Sequence, residues 1–227
     1  RQGANKPVFH EYYGSSETAM ITLLLPQDYI KKPERIHSVG KPRCGDILIY
    51  DEIAQKPVDS GKEGLILCRS VGTLSLRYPG TESKLKESQK TVDGWEWYDD
   101  RLIGWQDPDG FLYLTGRLKE MIICGGVNIF PNEIEAAIKR LDKVLDVAVV
   151  RYPHKELGEV PAAVIQPKDG LSLVEVEVIE HLKRLRMIGY KIPRYIEFVA
   201  NLPRHIDGKM RKKEIEDRFW EGIERRG

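Results

Sequence analysis

At 227 residues the chain is long enough for one large domain or two small ones. Hydrophobic residues at 41% and charged residues at 31% fit a globular protein, and 36 Lys plus Arg against 35 Asp plus Glu leave a net charge of +1. That balance supplies no overall field to draw in nucleic acid or a membrane, no apolar run is long enough to span a bilayer, and no stretch reads as a signal peptide.

Residues 1 to about 116 read as β-rich. Arg1-Gln-Gly-Ala-Asn5 opens without Met and runs into a motif by Tyr12, so the chain reads as a piece of a longer protein. Met20-Ile-Thr-Leu-Leu-Leu25, Asp46-Ile-Leu-Ile-Tyr50 and Gly64-Leu-Ile-Leu-Cys68 are expected strands, punctuated by Pro42, Gly45, Pro57, Gly61, Pro79 and Gly80. Asp107-Pro-Asp-Gly110 is a strong turn signal ahead of a strand over Phe111-Leu-Tyr-Leu114.

After Arg117 the pattern changes. Met121-Ile-Ile123 reads as a short strand, and Asn132 with Glu135 as a capping box opening a helix that carries Ile134, Ile138 and Leu141. Strands are expected over Val144 to Val150 and Ala162 to Ile165. Ser172-Leu-Val-Glu175 reads as a second capping box, before a helix with Val176, Val178, Ile179 and Leu182. Ile196 to Val199 is a further strand. A last helix begins near Lys212, with Ile215, Phe219 and Ile223 on one stripe.

Cys44, Cys68 and Cys124 are odd in number and widely spaced, and the five histidines form no close pair. Neither a disulfide framework nor a Cys/His metal site follows, and a reduced, cytoplasmic setting is the default.

Several short segments each admit a bland and a chemical reading. Tyr13-Gly-Ser-Ser-Glu17 is by itself a turn with a helix cap. Arg117 after Gly116 is a surface ion-pair residue, or a planar fork for ribose or phosphate oxygens. Gly125-Gly126 is a hairpin pair, or a place where backbone approaches a ligand. Lys209 after Gly208 is a solvated turn lysine, or a compact charge on a long stem that stabilises negative charge growing on phosphorus. On pattern alone the bland reading of Lys209 outweighs the other.

The order and separation of these segments change that balance. Thr115 to Glu135 and Pro203 to Lys213 resemble two core motifs of the adenylate-forming (AMP-binding) acyl-CoA synthetase superfamily. Tyr13-Gly-Ser-Ser-Glu17 resembles a third, with Ser16 in place of Thr. Ser38-Val-Gly-Lys-Pro42, Leu157-Gly-Glu159 and Tyr190-Lys-Ile-Pro193 extend the match from about Glu11 to the final helix.

The resemblance implies an α+β fold: residues 1–117 as the β-rich C-terminal part of a large domain, and 118–227 as a small mobile domain with a three-stranded sheet, flanking helices and a β-hairpin. It implies that Tyr13 packs against adenine, Ser16 approaches the α-phosphate and Glu17 holds Mg²⁺ through a hard oxygen. Arg117 grips the nucleotide, and Lys119 is the hinge. Gly125 and Gly126 line a pantetheine tunnel, and Lys209 reaches the α-phosphate and the substrate carboxylate.

Asp93-Gly-Trp-Glu-Trp-Tyr-Asp-Asp100 departs from the superfamily pattern. Tyr98 and Asp99 stand where Thr and Gly are expected, and two extra residues precede Gly104. Asp100 falls on the ribose-binding Asp, with Asp99 as a competitor.

ATP, AMP, CoA, Mg²⁺ and a fatty or aromatic carboxylic acid are the implied ligands. The superfamily's phosphate loop occurs nowhere in the 227 residues, so these residues alone are expected to be inactive. The rival reading is a non-catalytic module that binds nucleotide or a partner, its exposed surface covered by self-association into a homo-oligomer.

Overall fold

The computed structural model describes residues 8–75 and 86–223, which leaves the Arg1 to Asn5 opening and the Pro79-Gly80 turn outside the described residues. The chain divides into two compact units, one up to Leu118 and one from Lys119.

The first unit is built on two antiparallel sheets. β1 (Glu11–Ser15), β2 (Ala19–Leu24) and β3 (Lys41–Pro42) form the smaller, in that order. A short helix α1 (Pro26–Lys31) leaves β2. Its Pro26 supplies a preset φ at the first helical position, and Asp28 accepts the Leu25 N–H at 3.0 Å. The larger sheet comprises β4 (Gly45–Asp51), β5 (Lys56–Pro57), β6 (Gly64–Ser70), β7 (Gln89–Val92), β8 (Trp95–Gln106) and β9 (Leu112–Arg117). Its order is β5-β4-β6-β8-β7, with β9 also on β8; α2 (Val71–Ser75) follows β6.

Leu65, Ile66, Leu67 and Cys68 are all buried, as an unbroken apolar run requires. Strand alternation divides them. Ile66 and Cys68 join Ile49, Leu112, Tyr13 and Ile21 on the face toward the small sheet. Leu65 and Leu67 join Val92, Leu48 and Trp97 on the other. The Asp107 turn forms as expected: its carboxylate accepts the N–H groups of Asp109 and Phe111, each at 2.9 Å, and Gly110 takes φ +82°.

In the second unit β10 (Ile122–Cys124) and β11 (Val127–Ile129) form a hairpin, followed by α3 (Pro131–Ile138). β12 (Val144–His154) and β13 (Gly158–Pro167) pair over ten positions, and β14 (Tyr195–Phe198) adds to β13 in parallel. These are the three expected strands. The hairpin joins them through Cys124 opposite Gly158, making one five-stranded sheet.

Helices cover both faces. Val147, Val149, Ala163 and Ile165 pack with Ile134 and Ile138 of α3 and with Val178 and Leu182 of α4 (Glu175–Arg184). Ala148, Val150, Ala162 and Val164 pack with Ile215 of α5 (Lys212–Phe219). Alternation thus turns one apolar strand run into two cores. Among the described residues no helix is long and apolar enough to cross a membrane.

The helix starts differ from expectation. Pro131 opens α3 with its fixed φ, so Asn132 lies inside the first turn and does not cap it. The Glu135 carboxylate turns instead to the Val149 N–H at 2.7 Å. α4 starts at Glu175, and the acid that reaches back is Glu177, accepting the Val174 N–H at 3.1 Å. Val176 therefore points outward, 61% exposed. α5 ends at Phe219, and Ile223 lies beyond its stripe. Leu141 lies past the end of α3, yet packs against the same core.

Candidate functional site

In the first unit the site is assembled where the two sheets meet. β1 and β2 are joined by a tight turn over Ser16, Glu17 and Thr18. The buried Thr18 hydroxyl accepts the Ser15 N–H at 2.8 Å, and the Ser15 hydroxyl accepts the Thr18 N–H at 3.2 Å. Ser70 of β6 pins the turn from below by donating to the Thr18 carbonyl at 2.7 Å. Gly14 is obligatory, because a Cβ there would lie 1.9 Å from the Ala19 carbonyl oxygen. Ser16 is left at the exposed tip, with Glu17 half-buried beside it.

Tyr13 points the other way, into the core, and is 6% exposed. Its hydroxyl donates to Asp100 Oδ2 at 2.9 Å and lies 3.7 Å from Cys68 Sγ. Burial holds that hydroxyl protonated far above the ordinary phenol range, so it is a permanent donor. Burial likewise pushes the Cys68 thiol up to about 12, which keeps it unreactive.

The geometry separates Asp99 from Asp100. Leu67 pairs with Asp99 and Leu65 with Ile103, so three residues of β8 stand opposite the single Ile66. This bulge takes up two residues, and Arg101 within it adopts φ +55°. Asp99 is 1% exposed, and its carboxylate accepts the Arg101 N–H at 2.7 Å. Asp100 faces Tyr13 and the β1–β2 turn. Burial raises its pKa, the Tyr13 bond opposes that, and the charge of Glu17 adds to the rise. The structure therefore brings Tyr13, Glu17 and Asp100 together and turns Asp99 away. Arg117 ends β9, exposed, and pairs in register with Leu102, the last residue of the bulge.

In the second unit Lys119 is exposed on a single 3₁₀ turn, Leu118–Glu120. Gly125 and Gly126 form the two-residue loop of the β10–β11 hairpin, with φ +56° and +85°, the positive pair that such a turn demands. The Gly125 N–H donates to the Leu157 carbonyl at 2.9 Å, while Gly126 has open space where a side chain would start.

Lys209 sits on a second hairpin, closed by the bridge between Arg204 and Met210. His205 N–H donates to the Lys209 carbonyl at 2.8 Å, and Gly208 N–H to the His205 carbonyl at 2.9 Å. Gly208 makes the turn at φ +83°. The Lys209 side chain is 82% exposed, with Nζ 3.3 Å from Asp207. The Lys209 N–H holds the Asp207 carboxyl below its ordinary range. What the motif reading did not single out is the base of this hairpin, where Arg204 and Lys212 each make two polar contacts.

The fold and sequence have counterparts among known proteins. Residues 133–209 match the family of AMP-binding enzyme C-terminal domains. The chain is 34% identical to the medium/long-chain-fatty-acid–CoA ligase FadD8 of Mycobacterium tuberculosis, over 96% of this chain and 38% of that protein. It is 33% identical to a feruloyl-CoA synthase of Amycolatopsis, over 93% and 41%. Among solved structures it superposes on ATP-bound MatB of Rhodopseudomonas palustris with a TM-score of 0.81, at 26% identity, over 95% of this chain and 41% of that one. The o-succinylbenzoate CoA synthetase of Bacillus subtilis in complex with its acyl-adenylate gives 0.79 at 27% identity, over 92% and 41%.

The chain thus spans about two-fifths of the length of the relatives it matches. With the ordered motifs, the family match and the shared fold in agreement, the chain belongs to the adenylate-forming acyl-CoA synthetase superfamily, and residues 133–209 are its AMP-binding enzyme C-terminal domain.

Proposed function

We propose that this chain supplies the nucleotide-gripping strands and the mobile catalytic domain of an ATP-dependent acyl-CoA synthetase, with residues 1–117 and 118–227 as the two parts. A carboxylate oxygen attacks the α-phosphorus of ATP and pyrophosphate leaves, giving acyl-AMP. The CoA thiolate then attacks the acyl carbon and AMP leaves, giving the thioester.

Tyr13, buried beneath the nucleotide site, acts through its hydroxyl, which steers Asp100 toward the ribose hydroxyls, and its ring leaves little surface for the adenine contact the resemblance implies. Arg117 adds a planar fork to ribose or phosphate. Ser16, at the tip of its turn, approaches the α-phosphate. Glu17 fits a Mg²⁺ ligand: it is a hard oxygen donor whose charge already presses on Asp100, and a cation there would relieve both. Such an ion, when bound, neutralises phosphate charge.

The observation that carries the reading is Lys209, exposed beside the turn of a hairpin with a fixed base. A compact ammonium presented in this way serves a transition state that gains negative charge at phosphorus. The thioester step needs no such cation and needs room for a thiol. Rotation about Lys119 would withdraw Lys209 and bring in the bare Gly125-Gly126 loop. Three free thiols suit a reducing, cytoplasmic setting.

The complete polypeptide, given ATP, CoA and a panel of fatty and aromatic acids, should yield AMP, pyrophosphate and thioester in equal amounts. Release of ADP in place of AMP would sink the reading. The rival, a non-catalytic homo-oligomer, draws support from the exposed Phe9, Tyr12 and Met20. It predicts no thioester and a mass that grows with concentration.

A further inference from the structure

The hairpin that presents Lys209 is held by a charge cluster at each foot. At the first, Arg204 Nη1 donates to the Gly208 carbonyl at 2.8 Å, the carbonyl of the peptide bond that leads into Lys209. Its Nη2 donates to Asp146 of β12. Asp146 also receives Lys139 Nζ at 2.7 Å and the Val147 N–H at 2.9 Å. Burial pushes the Asp146 carboxyl up, but these partners and Arg204 outweigh it and hold the group ionised below the usual range. At the second foot Lys212 Nζ lies 2.8 Å from Glu135 and 3.2 Å from Glu120, which follows Lys119 directly.

Between the two feet the turn is closed by its own short-range bonds, His205 N–H to the Lys209 carbonyl at 2.8 Å, Gly208 N–H to the His205 carbonyl at 2.9 Å and Lys209 N–H to the Asp207 carboxylate at 3.1 Å, and none of these reaches the sheet. Gly208 is in the left-handed region, which its missing Cβ leaves open to it. Among the described residues the Lys209 side chain pairs with the half-exposed Asp207, and pairs of that kind hold weakly. The direction of the ammonium is therefore set by the backbone, and that backbone is gripped at the Gly208 carbonyl.

We propose that Arg204 is a positioning residue for Lys209: by clamping the Gly208 carbonyl to Asp146 of the sheet, it fixes the line along which the hairpin delivers the ammonium. This rests on the role proposed above for Lys209. A planar guanidinium can serve the carbonyl and the carboxylate at once, at a fixed angle. A lysine in its place has one nitrogen on a flexible stem and no such fork. The Lys212 cluster keeps the second foot in place when Arg204 is lost, so the tip loosens without the hairpin coming away.

The test compares Arg204→Met, Arg204→Lys and Lys209→Ala in the complete polypeptide. Pyrophosphate release reads acyl-adenylate formation, and thioester formation is read from supplied acyl-adenylate. Arg204→Met is expected to lower the adenylation kcat about tenfold, with KM for ATP and the thioester half-reaction within about twofold. Arg204→Lys should recover only part of the loss. Amide hydrogen exchange over residues 205–211 should quicken in Arg204→Met and stay unchanged in β12 and β13.

Wild-type adenylation in Arg204→Met beside abolished adenylation in Lys209→Ala overturns the inference and leaves the role of Lys209 standing. Equal loss of both half-reactions, or faster exchange throughout the unit, assigns Arg204 to stability alone and also overturns it. Adenylation that survives Lys209→Ala removes the role of Lys209, and this inference with it.

Discussion

Tyr13→Phe removes one oxygen and leaves the ring packing of a residue that is 6% exposed. What is lost is the 2.9 Å bond to Asp100 Oδ2. A hydrogen bond to a charged partner contributes about 1.5–3 kcal/mol, and one to a neutral partner about 1 kcal/mol. The cost therefore depends on the state of Asp100. Burial already raises that carboxyl, and the Tyr13 hydroxyl is the largest influence holding it down, so the substitution raises it further. The penalty should be small in acid and grow as Asp100 ionises.

Urea unfolding followed by tryptophan fluorescence suits the measurement, because Trp95, Trp97 and Trp105 lie in the first unit. A Trp220→Phe background silences the second. With a slope of about 2 kcal/mol per molar urea, the midpoint should fall by on the order of 1 M once Asp100 is charged. A double-mutant cycle with Asp100→Ala, which removes the acceptor, should return most of that energy as coupling. A Tyr13→Phe penalty below about 0.5 kcal/mol at every pH, with no coupling, would refute the picture of a hydroxyl that steers a half-buried carboxylate.

Other outcomes follow from the same geometry. Asp100 has a folded pKa above its ordinary value of 3.8, so folding is favoured at low pH and that share is lost as pH climbs from about 4 through the raised value. Asp100→Asn, which keeps an acceptor for Tyr13, should gain stability over the wild type across that window and then level off in pH-stepped urea titrations. Gly14→Ala places a carbon 1.9 Å from a backbone oxygen and should cost about 3 kcal/mol or more, or prevent the β1–β2 hairpin, read by thermal unfolding. Lys212→Met strips the shared cation from Glu135 and Glu120. It should lower the stability of the second unit by about 1–3 kcal/mol, read at Trp220, with partial rescue by Glu120→Gln. The 227 residues alone should form no acyl-adenylate in a pyrophosphate-release assay.

Much of the site is legible in the sequence because turn chemistry is local. Gly125-Gly126 and Gly208-Lys209 announce their backbones directly, and the alternation in Val144 to Val150 gives both cores of the second unit. Long-range partners are not announced. Nothing within a few residues of Glu135 shows that its carboxylate will leave the cap for Val149 and Lys212. Nothing near Arg204 points to Asp146, 58 residues away. Asp100 is preferred over its competitor Asp99 through the resemblance alone. The β8 bulge gives them different surroundings, and it exists only once Ile66 has a partner strand. The spacing of Cys68 carries no structural message, and its place beneath Tyr13 emerges only when the two sheets pack.

The most direct test of the account is Lys209→Ala in the complete polypeptide, with the two half-reactions measured separately. Acyl-adenylate formation should fall by about 10²–10³, while thioester formation from supplied acyl-adenylate stays within about twofold of the wild type. Adenylation at the wild-type rate, or an equal fall in both steps, would contradict the claim that one exposed ammonium serves the first step and is absent from the second.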